Sequence, residues 1–207
     1  VDFESLALPA VILVSLTSLI LLANLDWRIT ILALSLQYAG AFVLVALDWP
    51  TEMAASKLVA GWMAGAVLGM AMVSVPRSEA GSASALSGWP DSPRFPTGRL
   101  FRLFAAILVI LTVFSLAPRV QQTIPEFELV QVWGAMILIG MGLLQLGFTA
   151  NPFRTIIGLL TLLVGFEVFY AAVVRSVLVA GLLAAVNLGL ALIGSYLIIA
   201  PSMEDVE

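Results

Sequence analysis

Residues 153–174 read F-R-T-I-I-G-L-L-T-L-L-V-G-F-E-V-F-Y-A-A-V-V, an apolar run with a single carboxylate, Glu167, inside it. A helix needs roughly 20 mostly apolar residues to cross the hydrocarbon of a bilayer, and this run is long enough. An ionisable side chain at that depth costs several kcal/mol (order of magnitude) unless paired, hydrated or neutralised. The stretch therefore predicts a membrane helix and a functional candidate together.

The surrounding chain has the same character. Of its 207 residues, 61% are hydrophobic and 11% charged, and the mean hydropathy is +1.10. A soluble domain is about half apolar and about a quarter charged, so this composition excludes a water-soluble globule. Seven apolar runs emerge at about 6–25, 29–47, 56–75, 100–117, 129–149, 153–174 and 177–200. They are continuous and rich in Leu and Ala, whereas a membrane barrel needs short alternating strands. The expectation is an all-α, polytopic membrane bundle of about seven transmembrane helices. The first run is preceded by Asp2 and Glu4, the wrong charge for a secretory signal peptide; because the chain opens at Val1, removal of a leader before it is an open alternative.

The run pattern divides the chain into a three-helix part (1–75), a loop (76–99) and a four-helix part (100–207). The loop holds four prolines, three glycines and five serines without an apolar period, the composition of irregular surface chain. Trp89 and Phe95 are its candidates for docking on a neighbour. Basic residues set orientation. One side receives Arg28, Arg77, Arg94, Arg99, Arg102 and Arg154; the other receives Lys57, Arg119 and Arg175. This bias puts the loop and the C-terminus in the cytoplasm and the N-terminus outside, in the cell (inner) membrane. Glu126 and Glu128 then lie outside.

The chain has no cysteine and no histidine. Disulfides, thiolate and imidazole metal sites and Cys- or His-based catalysis are excluded. A net charge of -4 argues against nucleic acid as a partner. Phosphate-binding loops, nucleophile elbows and metal-ligand clusters are not found. No catalytic residue, cofactor or metal is expected in this chain.

Glu167 reads as a proton-relay carboxylate, with a neutral, hydrogen-bonded helix tie as the alternative. Tyr170 shares its helix face and is a candidate hydrogen-bond partner, and Gly165 allows close approach of another backbone. Lys57 opens the third run; its position favours snorkelling to the interface, and the alternative is a cation tuning a nearby carboxylate. Gln37, Gln145 and Asn187 are uncharged polar residues within spans, suited to interhelical hydrogen bonds and carried as relay candidates. Gly61, Gly65 and Gly69 form a stripe for close helix packing. Gly134, Gly140, Gly142 and Gly147 loosen the fifth run, with local unwinding expected near Gly140 and Gly142. Trp27, Trp49, Trp62, Trp89 and Trp133 fall mostly near span ends and read as an aromatic belt rather than a cofactor box.

The segment 151–201 resembles the three-helix K subunit of respiratory complex I, also seen as the C subunit of Mrp-type cation antiporters. Gly165-Phe166-Glu167 matches its G-x-E motif, and Ala184, Ala185, Gly189, Leu190, Ala191 and Leu192 match its A-A-x-x-x-x-G-L-A-L pattern. The whole chain is similar to component E of hydrogenase-4-type complexes, through S-L-T-S-L-I near the start, Arg28, Gln37 and Lys57. The resemblance implies that helices at about 129–200 are K-like. It also implies a subunit of a complex I-like, membrane-bound hydrogenase-like or Mrp-like ion-translocating assembly, partnered by antiporter-like membrane subunits. Any redox centre would belong to another chain. Where the K subunit carries a second membrane Glu, this chain has Ala185, with Asn187 the nearest polar side chain. A non-conducting structural subunit and a stand-alone secondary transporter are the competing readings.

Overall fold

The computed structural model describes residues 3–74, 97–124, 127–149 and 151–204. Among them the chain is all helix: α1 (Phe3–Ala23), α2 (Trp27–Val45), α3 (Thr51–Ser74), α4 (Thr97–Thr123), α5 (Leu129–Gly147), α6 (Pro152–Val173) and α7 (Val177–Glu204). All seven are long and apolar enough to cross a membrane. The greater part of the expected 76–99 loop, with Trp89 and Phe95, lies outside the described residues, as does Glu126.

Local chemistry places the helix starts. The Asp26 side chain accepts from Arg28 N at 2.9 Å and caps α2. Asn151 does the same for Phe153 N at 3.0 Å, and Pro152 follows at the first helical turn of α6. Both devices satisfy an N-terminal amide that the helix itself leaves unpaired. Inside the spans, hydroxyls bond back to their own helix: Ser15 to Val11 O, Ser35 to Ile31 O, Thr112 to Leu108 O. A span can thus carry Ser and Thr without an orphaned donor.

Two elements outrun their apolar signal. α3 begins at Thr51, where the sequence predicts a start near residue 56, and α4 runs from Thr97 through Pro118 to Thr123. Apolar counting finds the stretch that suits hydrocarbon, whereas a helix continues while its backbone bonds do. α5 is unbroken from Leu129 to Gly147, so the expected unwinding at Gly140 and Gly142 is absent. Those glycines serve contact instead: a Cβ on Gly142 would lie 2.6 Å from Leu162 N of α6, and one on Gly140 2.6 Å from Val109 Cγ1 of α4.

The helices close a ring in the order α1, α2, α3, α7, α6, α5, with α2 and α6 touching across it. The ring is thereby split into two four-helix compartments that share the α2–α6 wall. One is bounded by α2, α3, α7 and α6, the other by α1, α2, α6 and α5. α4 packs outside, on α5 and α1, and presents Phe101, Phe104, Leu108 and Leu111 outward. Leu34, Leu68, Leu138, Met141, Ile157 and Leu160 are among the fully buried side chains of the interior. The front three and back four helices share this one interior.

Candidate functional site

Each wall of the first compartment sends one polar side chain inward. Glu167 comes from the later half of α6, Lys57 from the second turn of α3, Asn187 from α7 and Tyr38 from α2. Lys57 Nζ lies 2.8 Å from Glu167 Oε1, with both side chains 4% accessible. Asn187 Nδ2 donates to the same oxygen at 2.9 Å, and Tyr38 Oη donates to Asn187 Oδ1 at 3.0 Å. The Lys57 contact is a close ion pair, and Nζ has no further acceptor among the described residues. The quartet is a buried positive and negative charge with one amide and one phenol orienting the carboxylate.

The early start of α3 explains Lys57. The six residues before it are already helical, so the ammonium sits inside the bundle rather than at a flank. Snorkelling, the expectation from position, gives way to pairing: Lys57 is 3% exposed. Gly61, one turn further along α3, packs against the Tyr38 ring, and a Cβ there would overlap the ring near its root. The missing side chain is what lets the phenol reach Asn187. Gly65 and Gly69 meet only Ile31 and Ser35 side chains at ordinary or slightly tight distance, and line an open groove beside Trp27 and Met70.

Tyr170 does not bond Glu167. Its ring stacks on Phe166 at 6.4 Å and meets Trp49 edge-on at 6.5 Å. Trp49 itself is buried and donates from Nε1 to Val174 O, tying the end of α2 to the end of α6. Nor do the tryptophans all form a belt. Trp62 sits mid-way along α3, half exposed, and donates to Ser35 O at 3.1 Å.

Gln37, beside Tyr38 on α2, belongs to the second compartment. Its Nε2 donates to Ser18 Oγ of α1 at 2.7 Å, and Thr161 Oγ1 of α6 donates to its Oε1 at 3.2 Å. This neutral triad is fully buried. Gln145 joins neither group: it lines a small cavity near the start of α6. Ala185 lies on the exposed side of α7, whereas Asn187, two residues on, faces inward.

Of the residues singled out in the sequence, the structure unites Glu167, Lys57 and Asn187 and sets Gln37 next door. Sequence reasoning missed Tyr38, Ser18 and Thr161. The available signal was their polarity at mid-span. The described residues contain no group of three or more His, Cys, Asp or Glu able to hold a metal.

No family model, curated protein or solved structure matches the chain.

Proposed function

We propose that this chain is an integral membrane subunit of a complex I-like, membrane-bound hydrogenase-like or Mrp-like ion-translocating assembly, with Glu167 as its proton-relay carboxylate. The observation that carries the reading is the buried Lys57–Glu167 pair. Two charges removed from water cost several kcal/mol (order of magnitude) per ion, and a well-packed apolar pair of similar volume is often as stable or more so. Charge kept at such cost inside apolar helices is a default sign of an ion or proton pathway. Proton exchange at Glu167 would switch Lys57 between a paired and an unpaired cation beside it. Asn187 and Tyr38 would hold the carboxylate in register through both states. Electron transfer would belong to other chains, and large antiporter-like subunits are the expected neighbours.

The burial of Lys57 also bears on orientation. Withdrawn from the flank, it leaves Arg119 and Arg175 against six arginines on the other side. On this reading the bias would put the N-terminus outside and the C-terminus in the cytoplasm.

A second reading, a non-conducting structural subunit, is supported by the outward-facing Ala185 at the position of the family's second Glu. Glu167→Gln in the intact assembly separates the two, with proton translocation and electron transfer measured independently. The relay reading expects translocation per assembled complex to fall while electron transfer per assembled complex persists. Unchanged translocation would leave the structural reading. Co-purification with antiporter-like subunits tests the assembly itself, and isolation as a lone monomer would oppose it.

A further inference from the structure

The Lys57–Glu167 pair lies close to one end of the bundle. Lys57 is six residues past the Thr51 start of α3, and Glu167 is seven residues before Val174, which caps α6. At 1.5 Å per helical residue, both are only about 10 Å from the helix ends. Water at the bilayer surface would reach charges at that depth unless something covers them, yet both side chains are 4% accessible.

The cover comes from the short connection between α2 and α3, residues 46–50. Two separate ties hold it. From α5, Gln131 Nε2 donates to Leu44 O and to Asp48 Oδ2. Trp49 turns its ring inward: it is 3% exposed, Nε1 donates to Val174 O at 3.1 Å, and the ring meets Tyr170 edge-on. A tryptophan at a span end ordinarily keeps its N–H in the wet interface. Here the N–H goes to a carbonyl that the end of α6 leaves without an intrahelical partner. Between this ring and the pair lie Ala54, one turn before Lys57 on α3, and Ala171, one turn after Glu167 on α6. Both are fully buried, and each shares the helix face of its charged neighbour. Alanine supplies little bulk at that level, so closure falls to the indole.

We propose that Trp49 is a plug: its indole closes the charged compartment against water at the end where α2 and α6 finish, and water reaches the Lys57–Glu167 pair from that face when the ring is displaced. Gln131 keeps the connection anchored while the ring moves, so opening takes one side chain rather than a whole loop. The plug stands whether Glu167 relays protons or ties helices. On the relay reading it is the point at which proton access from that face is controlled.

The chain has no cysteine, so a single introduced thiol reports alone. Ala171→Cys places it between the ring and the pair, and Ala54→Cys is a second reporter of the same layer. Ala64→Cys, fully buried on α3 seven residues past Lys57, places it beyond the pair. The full chain is held in lipid nanodiscs, which leave both faces open, and treated with a charged, membrane-impermeant methanethiosulfonate while labelling is followed by mass. A thiol reacts as its thiolate, which a dry apolar site suppresses. With Trp49 in place Ala171→Cys should be almost inert. Trp49→Ala should raise its labelling rate about tenfold or more, with Ala64→Cys unchanged. Trp49→Leu fills part of the space and should give a smaller rise, which keeps the test decisive should Trp49→Ala fail to fold. Fast labelling of Ala171→Cys and Ala54→Cys with Trp49 intact would mean an open end and overturn the plug. So would the lack of a rise in either Trp49 variant, or an equal rise at Ala64→Cys, the sign of general loosening. Translocation is not read in this experiment, so the plug and the relay can fail separately.

Discussion

The two compartments differ in one respect that decides what each can do. The one bounded by α2, α3, α7 and α6 holds a full positive and a full negative charge, Lys57 and Glu167, with Asn187 and Tyr38 beside them. The one bounded by α1, α2, α6 and α5 holds only the neutral Ser18–Gln37–Thr161 triad. Both are buried, both tie distant helices, and they share a wall. Neutral polar groups of this kind are interhelical glue worth about 0.6–2 kcal/mol each. A charged pair is different in kind: deleting one member strands the other, and the structure commits four helices to keeping them together. The comparison predicts steep, coupled losses in the first compartment and shallow losses in the second.

The largest effect should come from removing one charge. Lys57→Met leaves Glu167 facing an apolar neighbour, and breaking a buried pair in this way costs about 3–5 kcal/mol. Glu167→Gln strands Lys57 and should cost a similar amount. The double variant K57M/E167Q removes both charges and should regain most of the loss. Denaturation of the purified chain in mixed micelles gives the three values. Additive losses would mean that the two groups do not depend on each other, and the contrast between the compartments would collapse.

Gly61→Ala comes next. The new Cβ falls on the root of the Tyr38 ring, which cannot swing away as a flexible tip would, so α2 and α3 must part. Overpacking of this type costs about 1–3 kcal/mol. Gly65→Ala, facing Ser35 Oγ at 3.7 Å, is the matched control and should change stability little by the same measurement.

The seven spans were legible because lipid selects on composition over a whole window, and composition survives without any knowledge of neighbours. Glu167 was legible for the same reason, as the one carboxylate inside a window. Lys57 was misplaced because its depth depends on where α3 begins, and the early turn from Thr51 carries Glu52 and only the short apolar stretch 53–55. Tyr38 was missed because a tyrosine in a span is equally an apolar body and a hydroxyl. Its partner Asn187 lies 149 residues away, and only the ring closure between α3 and α7 brings them together. Tyr170 had the right spacing from Glu167 and the wrong neighbours: Phe166 and Trp49 hold its ring elsewhere.

Tyr38→Phe sharpens the comparison from inside the charged compartment. It deletes one hydroxyl, keeps the ring against Gly61, and frees Asn187 Oδ1. The stability loss should be about 0.5–1.5 kcal/mol, the net value of one hydrogen bond. If Asn187 orients the carboxylate only when Tyr38 fixes its amide, proton translocation in the intact assembly should fall by more than this stability loss explains. Stability and translocation falling in proportion would make Tyr38 plain packing.

Thr161→Val should have the smallest effect, and its value lies in being small. The substitution keeps the shape of the side chain and removes the hydroxyl that reaches Gln37 Oε1 over 3.2 Å. Gln37 keeps its shorter bond to Ser18, so the triad is weakened rather than orphaned. A loss of about 0.6 kcal/mol is expected, typical of an interhelical hydrogen bond in a membrane, with no change in translocation. Thr161 lies on the same helix as Glu167, fewer than two turns earlier, so the two variants report on neighbouring levels of one element. A large effect on translocation from Thr161→Val would mean that the neutral triad carries protons too. The shared α2–α6 wall would then be part of a path between the compartments rather than a partition separating a charged site from neutral glue.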